Sequence, residues 1–203
     1  MGAGVVAVLV VGGILLMGGN VPLLPDGPHG PSSFSFDLAG NVQVSPTSHT
    51  PPAQLGEVAS DAGDGVRETM DQLYFNAFVD TEQWGDYAEA YALFDGEAAV
   101  SAEGDADVLT LGPTAADTYE TVEPTSGSLS ISVLTNAKDA PISAVAEVEF
   151  IAEATGTDGS TTEITSTGSF FLRQVDGTWR IYAYRVDRDD STAAAPNASG
   201  SPS

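Results

Sequence analysis

The sequence predicts an α+β domain in which helices come first and a long-stranded antiparallel sheet follows. Three observations carry this. Apolar residues from Leu55 to Tyr91 recur at helical spacing, those from Leu129 to Ala183 alternate, and the strongest turn signal, Asp176-Gly177, joins two of the alternating runs. The domain is bounded at residues 53–190, after a Pro-rich stretch and before a tail of small residues.

The chain opens on residues 2–19, "GAGVVAVLVVGGILLMGG", which carry no charge. At about 1.5 Å per residue this run reaches roughly 27 Å, enough to cross a bilayer core. The expectation is therefore a transmembrane anchor or signal segment over residues 1–21, with the domain outside the cytoplasm. Two fates stay open: an uncleaved single-pass anchor, or cleavage near Gly18-Gly19 and secretion. Residues 22–52 hold Pro22, Pro25, Pro28, Pro31, Pro46, Pro51 and Pro52 among Ser, Gly and Thr. Such a composition reads as an extended, disordered linker. Within it, "FSFDL" (Phe34–Leu38) is a short alternating patch able to add an edge strand. Residues 191–203 read as a disordered tail, with Asn197-Ala198-Ser199 fitting a glycosylation acceptor.

One helix face is written in Val66, Met70, Leu73, Tyr74, Ala77 and Phe78, and Leu55, Val58, Ala59 and Ala62 extend it backwards past three glycines. A second helix is expected from Asp80, with Gln83 closing a capping box and Trp84, Tyr87, Ala88 and Tyr91 as its apolar stripe. Gly96 ends it, and an acidic stretch runs to Gly112. Strands follow. Leu129, Ile131 and Val133 share a face, as do Ala144, Ala146, Val148 and Phe150, with Val145, Glu147, Glu149 and Ile151 opposite. Asp176-Gly177 predicts a two-residue type I′ hairpin. Its register pairs Val175 with Thr178, Gln174 with Trp179, Leu172 with Ile181 and Phe170 with Ala183. Phe170, Leu172, Trp179 and Ile181 then face one way, and Phe171, Arg173, Arg180, Tyr182 and Tyr184 the other. Arg173 opposes Arg180, which is destabilising unless a carboxylate stands near. Glu147 and Glu149 are the expected acids.

Composition narrows function. The formal charge is −23, from 6 basic and 29 acidic residues among 203. With so few cations the chain has no phosphate-neutralising patch, so nucleic acid is not an expected partner. It has no cysteine, which excludes disulfides, thiolate metal sites and a cysteine nucleophile. Its two histidines, His29 and His49, precede the domain, so triads and imidazole bases lack a member. Asp61 with Asp64, and Glu103 with Asp105 and Asp107, are oxygen-rich, but neither matches the twelve-residue calcium loop, and both read as acidic loops. No metal or cofactor is expected.

The order of helices then sheet, ending in "DGTWRIYAYRVDR" with Asp176, Gly177, Trp179 and Ile181 in a D-G-x-W-x-I pattern, resembles the nuclear transport factor 2-like superfamily, with its SnoaL-like and ketosteroid-isomerase-like members. The resemblance covers roughly residues 53–190. In layout it is also similar to small extracytoplasmic domains carried behind one membrane helix in actinobacteria. It implies a curled antiparallel sheet wrapped around helices as a cone, whose open end often holds a ligand cavity. Residues expected to line such a cavity, or simply to fill it, are Tyr74, Trp84, Tyr87, Tyr91, Phe170, Leu172, Trp179 and Ile181. Phe171, Arg173, Arg180, Tyr182 and Tyr184 are expected on an outer interface, where many members of the family pair as homodimers. Two functions follow. One is a membrane-held, extracytoplasmic, non-catalytic binding or assembly domain of the cell envelope, meeting an envelope protein or a small apolar ligand. The alternative is a SnoaL-like isomerase, cyclase or hydrolase using Asp86 with Tyr74, Tyr87 and Tyr91. The family's catalytic histidine has no counterpart in the domain.

Overall fold

The computed structural model describes residues 33–45 and 52–192. The expected membrane segment, most of the linker and the tail beyond Thr192 lie outside them. Among the described residues, no helix is long and apolar enough to cross a membrane. The chain is α+β: helices pack on an open, mixed sheet of six strands. Two short strands come first, β1 (Asp37–Leu38) and β2 (Gln43–Ser45). Helix α1 (Pro52–Tyr74) runs directly into a π-helical turn at Phe75–Val79. Four short helices follow: α2 (Ala88–Tyr91), α3 (Glu97–Gly104), α4 (Ala106–Leu109) and α5 (Ala115–Thr118). The long strands are β3 (Tyr119–Thr135), β4 (Pro141–Gly156), β5 (Thr161–Val175) and β6 (Thr178–Thr192).

The four long strands form an antiparallel meander, β3-β4-β5-β6. Strands β1 and β2 both lie parallel to β3 along its outer edge, so the sheet is mixed rather than antiparallel throughout. This places residues 33–45 on the domain, inside the stretch read from composition as linker. The patch "FSFDL" does add an edge strand. Composition misses it because Pro, Ser and Gly dominate the neighbourhood, while two rings do the anchoring.

One apolar face of α1 meets one face of the sheet. Val66, Met70, Leu73, Tyr74, Ala77 and Phe78 are buried against Leu129, Ile131, Ala146, Phe150, Phe170 and Leu172. The strand alternation is obeyed: Glu147 and Glu149 face solvent between buried Ala146, Val148 and Phe150. Gly65 has a packing reason to sit mid-helix. A Cβ there would stand 2.7 Å from Cδ1 of Trp179, so the missing side chain lets the indole seat against the α1 backbone.

The second helix expected from Asp80 is largely absent. Asp80 is extended and caps a turn instead, its Oδ1 accepting from the Glu82 N–H at 3.0 Å and its carbonyl from Gln83 N–H. The capping box does not form. Gly85 at φ +96 and Tyr87 at φ +54 reverse the chain, and only Ala88–Tyr91 is α-helical. Asp176 (φ +52) and Gly177 (φ +83) make the expected tight turn, and the pairs Val175–Thr178, Gln174–Trp179, Leu172–Ile181 and Arg173–Arg180 all form. Beyond them a bulge between Phe171 and Leu172 moves the register by one. Ala183 pairs with Phe171 and Tyr184 with Phe170, not Phe170 with Ala183.

Two glycines in α1 test this packing in opposite directions. Gly56 has open space where a Cβ would go, so Gly56→Ala is expected to raise unfolding stability by about 0.5–1 kcal/mol through helix propensity. Gly65→Ala gains the same propensity but drives a methyl into Trp179, and is expected to lower stability by about 1–3 kcal/mol. Urea denaturation of the two variants beside the parent distinguishes them.

Candidate functional site

The residues expected to line a cavity lie in two separate places. Tyr74 is at the centre of the helix–sheet contact, 1% exposed, its ring stacked on Phe78 at 5.4 Å and edge-on to Phe36 and Phe170 at 5.0 and 6.1 Å. Its hydroxyl and the Ser166 Oγ share a buried hydrogen bond of 3.0 Å. Burial pushes the Tyr74 phenol far above its ordinary value of 10.0, and the Ser166 bond only partly offsets this. Phe150 sits 5.1 Å from the Tyr74 ring, and Leu172, Trp179 and Ile181 are buried in the same core. Side chains thus occupy the space between α1 and the sheet.

Tyr87, Trp84 and Tyr91 belong to the segment after the π turn. Tyr87 is buried and donates to the Gly112 carbonyl at 2.9 Å; half-buried Trp84 donates through Nε1 to the Phe78 carbonyl at 3.3 Å. Both bonds tie connecting segments down. Tyr91 is half-exposed and opens on a cleft of about 620 Å³, lined also by Asp86, Phe94 and Glu103. Burial raises its phenol pKa, and the charges of Glu103, Asp107 and Asp86 add to the rise. The candidate enzymatic set is therefore divided: Asp86 and Tyr91 border this cleft, Tyr87 is engaged with Gly112, and Tyr74 is in the core.

The five outer-face candidates also divide. Phe171 and Tyr182 meet at 6.4 Å, and the Arg173 guanidinium lies 5.7 Å over the Tyr182 ring. Tyr182 is 41% exposed and Leu134, on β3 of the same sheet, is also 41% exposed. Arg173 and Arg180 stand opposite each other, as expected, but Glu147 and Glu149 do not relieve them. Glu147 accepts from Ser169 Oγ at 2.7 Å instead. Arg173 forks onto Asp95, its Nε 2.7 Å from Oδ2, and Arg180 donates to the Ala92 carbonyl. Both acceptors come from the segment that runs along the free side of β6, where Leu93 and Asp95 exchange backbone hydrogen bonds with Ile181. Arg173 and Arg180 are thus fastened to an adjacent segment of the same chain. Tyr184 has changed sides. The bulge turns it toward the helices, where it packs edge-on to Phe94 and donates to Asp105 Oδ2 at 2.7 Å. Burial and the Asp105 carboxylate hold its phenol well above the ordinary value.

Two residues that sequence reasoning passed over prove structurally central. Arg188 ties β6 to α4 and the loop after it, donating to the carbonyls of Asp107 and Thr110 and pairing with Asp190. Asp71 holds the N-terminal strand segment: Oδ2 accepts from Ser35 Oγ at 2.7 Å and Oδ1 from the Phe36 N–H at 2.8 Å. Arg188 carried a signal, being one of six cations in an acidic chain. Asp71 carried none. Among the described residues, no three acidic or histidine side chains are grouped so as to hold a metal ion.

Comparison of the chain with protein-family models, with curated proteins and with solved structures finds no match.

The buried phenol sets an alkaline limit. Above the ordinary value of 10.0 the unfolded chain releases the Tyr74 proton and the folded one retains it, so stability falls as pH rises from there toward the elevated folded value. The expected slope from Tyr74 is about 1.4 kcal/mol per pH unit. Tyr74→Phe is expected to remove that share of the slope, the raised phenols of Tyr91 and Tyr184 keeping theirs, while costing about 1–2 kcal/mol at neutral pH, because Ser166 loses its partner. Urea melts of the two proteins at pH 7 and at several values above 10 measure both effects.

Proposed function

We propose that this chain is a non-catalytic, extracytoplasmic binding or assembly domain of the cell envelope, held by its N-terminal apolar segment, with the nuclear transport factor 2-like cone as its fold. The observation that carries the binding reading is the contrast between interior and exterior. Phe36, Tyr74, Phe78, Phe150 and Phe170 fill the space between α1 and the sheet, where a substrate would have to enter. Meanwhile Phe171, Tyr182 and Leu134 stand on the outward face of the sheet beside Arg173. An aromatic patch flanked by an Asp95-paired arginine is the part of the surface best suited to a protein interface, since buried aromatics and arginine dominate interface energetics.

A second reading, a SnoaL-like enzyme acting on a small molecule, draws on the cleft where Tyr91 lies near Asp86 and Glu103. It has less support. The carboxylates border an open cleft, and the other candidate phenols are committed elsewhere.

Photo-crosslinking tests the binding reading. A crosslinker placed at Tyr182 in the full chain, expressed in its own envelope, is expected to trap a discrete protein partner that the same group at Thr157 does not trap. Phe171→Ser with Tyr182→Ser is expected to reduce that product by about tenfold or more with little change in thermal midpoint, because an interface core contributes affinity without supporting the fold. Equal products from both positions, or a small molecule retained in the Tyr91 cleft and turned over, would overturn it.

A further inference from the structure

The outward face of the sheet has two unlike ends. Near the β5–β6 hairpin it carries Leu134, Phe171 and Tyr182, with half-buried Val145 paired to Phe171 across β4 and β5. Toward the β4–β5 turn it is acidic. Glu123 of β3 pairs with Glu153 of β4, and Glu153 pairs with Glu163 of β5; all three are exposed. Strands stand about 4.8 Å apart, so the register sets three carboxylates side by side, and like charges directly opposite are destabilising. Thr at any of these positions would suit the sheet without the repulsion. The fold supplies no counter-charge. The ion pairs among the described residues are Arg67–Asp64, Arg173–Asp95 and Arg188–Asp190, and none reaches the row. Glu147 and Glu149, exposed on β4, carry the negative charge on toward the aromatic end.

We propose that this face binds a basic protein segment, laid along the sheet with an apolar residue over Phe171 and Tyr182 and with Lys or Arg side chains on the Glu123–Glu153–Glu163 row. The inference rests on the outer-face reading above for where the partner sits, and adds what the partner is. The sign of the charge selects the occupant. Nucleic acid and anionic lipid are repelled by a chain of formal charge −23. A second copy brings the same surplus of carboxylates, and its two arginines at the aromatic end are already engaged, Arg173 on Asp95 and Arg180 on the Ala92 carbonyl. A bare metal ion has no seat, since no grouping of acidic side chains among the described residues could hold one. A basic segment satisfies both ends at once. Phe171 and Glu163 lie about 26 Å apart along β5, the reach of roughly eight extended residues or about five helical turns. The aromatic end supplies apolar contact, and the carboxylates set orientation and speed encounter, as complementary charge does across protein interfaces.

Peptide binding to the full-length protein in non-ionic detergent tests this. The probe is a synthetic peptide alternating lysine with valine, followed by fluorescence anisotropy beside the same peptide with glutamate for lysine. Two variants of equal net charge are compared. One is E123Q/E153Q/E163Q; the other is E57Q/E82Q/E89Q, whose exposed positions lie on α1, the turn before α2, and α2. The lysine peptide is expected to bind the parent saturably and the glutamate peptide not at all. The sheet variant is expected to weaken Kd by about tenfold and the helix variant by about twofold or less. The urea midpoint of the sheet variant should equal or exceed the parent's, because repulsion is relieved. In the envelope, the Tyr182 crosslink should fall by about tenfold in the sheet variant and persist in the helix variant. Equal weakening by both variants would show binding to follow net charge alone, and a lowered urea midpoint would show the row to be held by the fold itself; either overturns the proposal. A Tyr182 crosslink untouched in the sheet variant also overturns it, while leaving the outer-face reading standing. Loss of the crosslink even in the parent, with the peptide still held by the row, removes the aromatic-end partner and supports a basic ligand on the carboxylate end.

Discussion

The contact between the Tyr74 side of α1 and the sheet is the constraint on which the rest depends. Aromatic rings fill it, and rings pack by shape as well as by area, preferring edge-on and offset arrangements at the spacings seen from Phe34 through Phe170. A cluster of this kind is demanding. Each ring fixes the next, and the hydroxyl that Tyr74 carries into it must find Ser166. Once α1 is seated, Gly65 admits Trp179, the β5–β6 hairpin has its depth, and the segment before α1 has a groove to lie in.

The periphery follows from how the connecting segments are tied. The chain between the π turn and β3 contains no long helix, yet it is pinned at intervals: Tyr87 to Gly112, Leu93 and Asp95 to Ile181, Arg188 to Thr110. These bonds shield part of the free edge of β6. On the opposite edge, β1 and β2 do the same for β3. Edges left bare invite pairing with other chains, and covering them with short segments is a common remedy. Here the cover on the β3 edge is itself made of strands.

How much of this was legible in the sequence can be traced residue by residue. The α1 face, the alternation in β3 and β4, the Asp176-Gly177 turn and the Arg173–Arg180 opposition were all readable, because each depends on local periodicity or local turn chemistry. The second helix was not, because the Asp80 and Gln83 pattern is short and Gly85 and Tyr87 take left-handed backbone instead. The side of the sheet taken by Tyr184 was hidden by a bulge, since one inserted residue turns every later side chain over. Asp95 as the partner of Arg173, and Asp71 as the clamp on Phe36, were out of reach for another reason. Both link residues far apart in the chain, and no local pattern encodes such a meeting. Of the candidate site residues, those in the core were recognisable as apolar periodicity, whereas their division between a filled interior and a separate Tyr91 cleft required the fold.

The account stands most directly on Trp179 lying against the α1 backbone beneath the hairpin. In a Trp84→Phe variant Trp179 is the sole indole, and its fluorescence reports that contact alone. The packing described here predicts blue-shifted emission, protected from acrylamide, that moves to the red in the same cooperative urea transition as the far-ultraviolet circular dichroism. Emission already red and freely quenched in buffer, or a shift completed before the helical signal is lost, would contradict it.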